Sequence, residues 1–279
     1  MTHKRTILLA LGLIVAVSVL AAATVFRDRV ETQTDIIEIL KKDLEMAECE
    51  DENRLESVRK LFKEKGASDT EIAVESFDSV ENVVVTIKGG EETVVVGAHF
   101  DKVKFGCGVL DNWSGVVLVA NLYSAVKKYP GKKTFKFVAF GKEEKGLVGS
   151  GKMAKAIPKD ERVRYCAMVN FDSFGMYYPQ VLNNVSDKKL TELTRQSAEE
   201  LKIPYSDASI DWASSDSASF QRVDIPAITL HGLGRGFEQI IHSSKDKIEE
   251  VEINSLYHGY RMGLSLLGKI DAADCGAFR

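Results

Sequence analysis

The sequence predicts an α/β fold, a three-layer sandwich with a mixed, largely parallel central sheet flanked by helices. Three observations predict it. Past residue 70, apolar strand-like runs alternate with stretches of helical period, the pattern of successive βαβ units. The run "TVVV" at 93–96 is continuously apolar, as a strand covered on both faces would be. The first two strand-like runs, "IAVESF" and "ENVVVTIKGG", are neighbours with no helix between them, which makes the sheet mixed.

Each element follows in order. "TDIIEILKKDLEMA" from Thr34 carries apolar residues at 36, 37, 40, 44 and 46, near helical spacing. A second helix runs from Asp51 to a stop at Gly66. The two strands follow, the second ending in a Gly-Gly turn, and then "ETVVVGAHF". "SGVVLVANLYSAVKKY" reads as a helix closed by "PG" and capped by Ser114. "KTFKFVAFG" and "VRYCAMVNFD" are strands, with the helix "KGLVGSGKMAKAI" between them. "DKKLTELTRQSAEELKI" is an amphipathic helix, "IPAITLHG" a late strand and "NSLYHGYRMGLSLLGKI" a terminal helix.

The chain has 279 residues, 44% hydrophobic and 28% charged, with a net charge of -4, which argues against a general nucleic-acid binder. Its beginning is different in character. Thr6 to Phe26 carries no charge and follows the basic His3, Lys4 and Arg5. A spanning helix needs about 20 apolar residues, so the stretch is long enough. It equally fits a signal peptide, with small residues offering cleavage after Ala23. Residues 1–29 are therefore expected to be a signal peptide or signal anchor, and residues 30–279 one α/β domain. The remainder is expected outside the cytoplasm, secreted or attached to the membrane through residues 6–26.

Cys49, Cys107, Cys166 and Cys275 contain no CxxC pair, which argues against a structural zinc site of four thiolates. An exported chain could form one or two disulfides, in three full connectivities. Cys166 reads as a small buried hydrophobe in a core strand, and a Cys49–Cys275 bond would tie the two ends together.

Polar groups gather where these strands end. His99 and Asp101 close the first apolar strand, and Asp111 and Asn112 lie in the loop beyond. Glu143 and Glu144 follow "VAFG", Asp172 ends "VNFD", and His242 comes late. In open α/β sheets, ligands bind outside the carboxyl ends of strands. Taken singly, each group has a plain reading: a strand-end His satisfied in the core, a solvated Glu pair, an Asp capping a helix. Together, two histidines and three carboxylates exceed the needs of one tetrahedral zinc and suit two ions sharing a bridging carboxylate. Asp101, two residues after His99, can face the same way and bond the ring nitrogen that does not hold metal. Of the adjacent pair Glu143 and Glu144, one can bind metal while the other acts as general base.

The segments "GAHFD", "LDNWSG", "AFGKEEKGLVGS", "VNFDSFG", "SSDSASFQRVDIPAI" and "IHSSKDKIEEV", in this order and spacing, resemble the secreted di-zinc aminopeptidases of the aminopeptidase Y type. The resemblance runs from about residue 93 to 250. It implies the zinc exopeptidase fold, shared with glutaminyl cyclases, glutamate carboxypeptidases and the peptidase-like part of transferrin receptors. It implies two Zn2+ ions, one held by His99, Asp172 and a bridging Asp111, the other by Glu144, His242 and the same Asp111. It implies Glu143 as general base, Asp101 as the residue orienting His99, and peptide or protein N-termini as substrate. There is one departure: many relatives have a His after the Asp of "SDHxxF", and here Ser217 stands in that place. Phe237 is a candidate to line the pocket for the substrate's first side chain, with an ordinary packing role equally open.

Three other functions remain open on the sequence. A glutaminyl cyclase would use one zinc for intramolecular amine transfer. A receptor or binding module on this fold would have lost ligands or the base, whereas here every position is filled. A carboxypeptidase would need a clamp for a free carboxylate, for which Arg222 and Arg235 are candidates.

Overall fold

The computed structural model describes residues 32–210 and 213–279, and the expected signal peptide or anchor of residues 1–29 lies outside them. Among the described residues no helix is long and apolar enough to cross a membrane. The chain divides into two units, residues 1–38 and 39–279. The described part of the first unit opens helix α1 (Gln33–Leu44).

In the second unit the elements follow the expected order. Helix α2 (Arg54–Glu64) precedes strands β1 (Ile72–Phe77), β2 (Val80–Ile87) and β3 (Thr93–His99). Helix α3 (Ser114–Lys128), strand β4 (Thr134–Phe140), helix α4 (Val148–Ala156) and strand β5 (Tyr165–Phe171) come next. Strand β6 (Gln180–Leu182), helix α5 (Lys188–Leu201), strand β7 (Ser206–Ala208), helix α6 (Ser217–Gln221), strand β8 (Ala227–His231) and helix α7 (Ile253–Ala272) complete the chain. The short elements β6, β7 and α6 were not foreseen. Three to five residues carry too little pattern, and β6 and β7 form because β8 offers an edge to pair with.

The sheet order is β1-β2-β4-β3-β5-β8-β6-β7. The four central strands β4, β3, β5 and β8 are mutually parallel, and β1, β2 and β6 add antiparallel pairs. The mixed sheet is therefore as expected. β3 is buried along its whole length, which its unbroken apolar run requires. From β3 the chain passes to β4 on one side and then to β5 on the other. This reversal leaves a crevice at the carboxyl end of β3, between the loops that leave the strands.

Helix α3 is buried over its first ten residues and closely approaches β5. A Cβ on Gly115 would fall 2.4 Å from the Phe171 carbonyl oxygen, so glycine is needed there. Ser114 is the first helical residue rather than the cap. Its hydroxyl donates to the Leu110 carbonyl at 2.7 Å and accepts the Phe174 N–H at 2.8 Å, which locks the helix start to the segment after β5.

The cysteines pair as Cys49–Cys107 and Cys166–Cys275. Cys166 is thus no free hydrophobe, and Cys49 does not reach Cys275. The reason is tertiary: the turn after α1 lies against the loop after β3, and the last turn of the chain lies against the start of β5.

Candidate metal centre

The parallel strands deliver the polar groups to one edge. His99 is the last residue of β3, Asp172 directly follows β5, and Glu143 and Glu144 lie in the turn after β4. Asp111 comes from the loop before α3, and His242 from the loop after β8. Lys142, Ser173 and His242 are non-glycine residues in the left-handed region, so the backbone is strained beside or at three of these positions.

The centre is organised around Asp111. One of its oxygens, Oδ1, lies 3.2 Å from His99 Nε2, and the other, Oδ2, lies 3.0 Å from His242 Nε2. His99 Nε2 also lies 3.5 Å from Asp172 Oδ1, and His242 Nε2 lies 3.3 Å from Glu144 Oε2. Ligand-type atoms of His99, Glu143 and Asp172 all fall within 4.8 Å of one another, as do those of Asp111, Glu144 and His242. The five expected ligands and Glu143 are therefore brought together. Glu143 stands with the His99 group rather than apart from it.

His99 is held by the chain itself. Its Nδ1 lies 3.1 Å from the Asp101 carbonyl oxygen, which places the ring proton on Nδ1 and leaves Nε2 for the centre. The Asp101 carboxylate, expected to make this bond, is 3.7 Å away. It turns instead to the loop after β4, where Oδ1 accepts the Glu143 N–H at 2.8 Å and Oδ2 the Glu144 N–H at 3.2 Å.

Several supporting residues carry little signal in the sequence. Asp246, four residues past His242, accepts the Leu110 N–H at 2.7 Å and the Asp111 N–H at 3.1 Å, tying the His242 loop to the Asp111 loop. Asn112 donates to the Phe171 carbonyl and accepts the N–H groups of Gly115 and Ser173. Asp172 Oδ2 accepts the Ser215 hydroxyl at 2.5 Å, and Ser215 in turn accepts the Asn170 amide at 2.6 Å. Buried Arg54 donates to the carbonyls of Phe100, Cys107 and Gly108, bracing both ends of the loop that follows His99. A charged residue on an otherwise amphipathic helix gives no hint of this role.

Charge is unbalanced in the centre. Burial opposes a charged His99, yet the surrounding carboxylates, Glu143 foremost, hold its pKa well above the usual imidazole value. Contact with Asp111 and Glu144 raises His242 to about 10. Burial pushes Glu143 well above the usual carboxyl range; His99 opposes the shift, and Asp216, Asp172 and Asp111 reinforce it. Asp216, itself fully buried, is raised to about 7, first by burial. Glu144 Oε1 is buried without a hydrogen-bond partner. Four crowded carboxylates, an orphaned oxygen and two imidazoles make a donor set that divalent cations would satisfy.

The centre forms one wall of a cavity of about 140 Å³, whose other wall is apolar and includes Leu182, Ile210, Leu233 and Phe237. Phe237 lines this cavity. Ser217 does not line this cavity; it is buried, with its hydroxyl donating to the Val185 carbonyl and bonded to Thr229. Arg222 is exposed away from the cavity, whereas Arg235 lines an adjoining one.

The chain is similar to aminopeptidase YwaD of Bacillus subtilis, 29% identical over 171 residues, covering 57% of this chain and 37% of that protein. It is 26% identical over 243 residues to a probable leucine aminopeptidase of Arthroderma otae, covering 78% of this chain and 64% of that one. It thus spans less than two thirds of the length of these curated relatives. Among solved structures, an aminopeptidase from Aneurinibacillus sp. strain AM-1 superposes with a TM-score of 0.60 at 25% identity, covering 67% of this chain and 47% of that one. The LapA aminopeptidase of Legionella pneumophila shares the fold, with a TM-score of 0.72 at 19% identity, covering 87% of this chain and 72% of that one. Residues 82–266 match the family model for Peptidase family M28, and they include every residue of the centre. The chain belongs to peptidase family M28.

Proposed function

We propose that the protein is a zinc-dependent aminopeptidase that hydrolyses the N-terminal peptide bond of peptides or proteins. The observation that carries this reading is the Asp111 carboxylate, whose two oxygens each approach a different histidine. In this reading His99, Asp172 and Asp111 hold one zinc, and Glu144, His242 and Asp111 hold the other. The oxygen and imidazole donors suit zinc, and the relatives described as aminopeptidases support a peptide substrate. When bound, the zinc ions supply Lewis acidity toward water and toward a carbonyl oxygen.

The remaining chemistry belongs to the chain. Glu143, grouped with His99 and Asp172, takes a proton from the attacking water and returns it to the departing amine. Asp101 fixes Glu143 and Glu144 through their backbone N–H groups. Ser215 and Asp246 hold Asp172 and Asp111 in place. The apolar wall around Phe237 receives the side chain of the first residue and keeps water from it.

Residues 30–279 are read as one catalytic domain, delivered out of the cytoplasm by residues 1–29 as a cleaved peptide or an anchor. Two disulfides support an oxidising destination.

Amino-acid p-nitroanilides and a Gln-initiated peptide, each with and without chelator, test the reading. Chelator-sensitive release from unblocked substrates, with none from N-acetylated ones, is the expected result. Pyroglutamate from the Gln peptide and silence on every anilide would replace it with a cyclase, a fold it shares with a solved glutaminyl cyclase. Silence on both with little metal bound would leave a binding module.

A further inference from the structure

Beside the acidic centre lies a second, open cavity of about 340 Å³ with the opposite chemistry. The two cavities share one wall, made by Ile210, His231, Leu233 and Phe237. The first is lined by Asp111, Glu143, Glu144 and Asp172, whereas no Asp or Glu lines the second among the described residues. Arg235 lines the second cavity. It is exposed, and among the described residues it has neither an ion-pair nor a hydrogen-bond partner.

A second donor sits in the shared wall. His231 Nδ1 accepts the Leu233 N–H at 3.2 Å, so the neutral ring carries its proton on Nε2. That Nε2 is buried and unpartnered. Gln180 is anchored beside it, its amide donating to the Leu233 carbonyl at 2.6 Å and its oxygen accepting the Ser206 hydroxyl at 3.0 Å. What the cavity offers is the Arg235 guanidinium, without an acceptor among the described residues, while His231 Nε2 is covered within the shared wall. A guanidinium matches a carboxylate in geometry and charge.

We infer that this cavity is a subsite for a carboxylate of the substrate, within one or two residues of the bond cleaved, with Arg235 as its cation. The inference rests on the aminopeptidase reading and specifies its substrate class. Such a carboxylate has three sources: the free C-terminus of a di- or tripeptide, an acidic second residue, or an acidic first residue.

Matched pairs separate them. Leu-Gly against Leu-Gly-amide reads the terminal carboxylate. Leu-Glu-amide against Leu-Gln-amide reads the second side chain. Glu-Gly-amide against Gln-Gly-amide reads the first. The expected result is a preference for the anionic member of one pair of roughly 5-fold or more in kcat/KM, carried by KM, as one partly solvated ion pair would give. That preference disappears in Arg235→Gln and is partly kept in Arg235→Lys. No preference in any pair, with the neutral members still cleaved, overturns the subsite and leaves the aminopeptidase intact. A preference that survives Arg235→Gln also overturns it. Calorimetric binding of the same pairs to Glu143→Gln protein, with and without Arg235→Gln, reads the subsite without turnover. If no peptide is cleaved by the wild-type protein, the aminopeptidase reading fails, and equal binding of every pair then overturns the subsite as well.

Discussion

The Asp101 carboxylate accepts the backbone N–H of Glu143 at 2.8 Å, joining the loop after β3 to the loop after β4. Its second oxygen takes the N–H of Glu144 at 3.2 Å. A single side chain thus sets the position of both glutamates. Asp101→Ala is expected to lower kcat by roughly 10- to 100-fold, the usual cost of losing a group that orients a metal centre. Steady-state kinetics with metal content measured in parallel checks this. Full activity in the variant would show that the glutamates hold themselves.

Glu143→Ala removes the proposed base without touching the proposed ligands. Its turnover is expected to fall at least roughly 100-fold while bound metal stays at the wild-type level. Hydrolysis rates and atomic absorption on the same preparation decide it. Near-normal turnover would end the assignment.

His231 makes stability depend on pH. Burial lowers its pKa from 6.5 to about 4. Below pH 6.5 the unfolded chain takes up a proton that the folded chain refuses until about pH 4. Stability therefore falls as pH drops through this window, by up to roughly 3 kcal/mol from this one group. Urea unfolding of wild type and His231→Gln at pH 7 and pH 4.5 tests it. The difference between the two proteins should change with pH by a large part of that amount. Parallel pH profiles would show that His231 is not the group responsible.

The two disulfides separate stability from function. Cys166 lies at the start of β5, at the opposite end of the strand from Asp172, whereas Cys107 lies in the loop that links His99 to Asp111. Each bond is expected to contribute roughly 2–4 kcal/mol. Cys166→Ala should lower the Tm with little change in turnover at low temperature. Cys107→Ser should lower both. Thermal denaturation with rates taken well below the Tm distinguishes them.

Much of the centre is legible in the sequence because parallel strands end together. Once "TVVVGAH", "FKFVAF" and "CAMVNF" are read as neighbouring parallel strands, His99, Glu143 and Asp172 must share an edge. The residues that hold them are harder to see. Asp246 is one acid among several near it, and only the packing of its loop on residues 109–111 makes it an acceptor for two backbone amides. Asp101 was expected to bond the His99 ring, as its spacing allows. The competing amides of Glu143 and Glu144, unknown until β4 is placed beside β3, take its carboxylate instead. The disulfide pairing depends on the same long-range placement, which is why Cys49 and Cys107 could not be matched by separation alone.

Zinc titration of metal-free protein tests most directly whether Asp111 joins two metal sites. Two zinc ions per chain are predicted, with hydrolysis of an unblocked aminoacyl anilide rising as they bind, and with both sites weakened by Asp111→Asn. One ion per chain at full activity, or an Asp111→Asn variant that binds two as tightly as wild type, would contradict it.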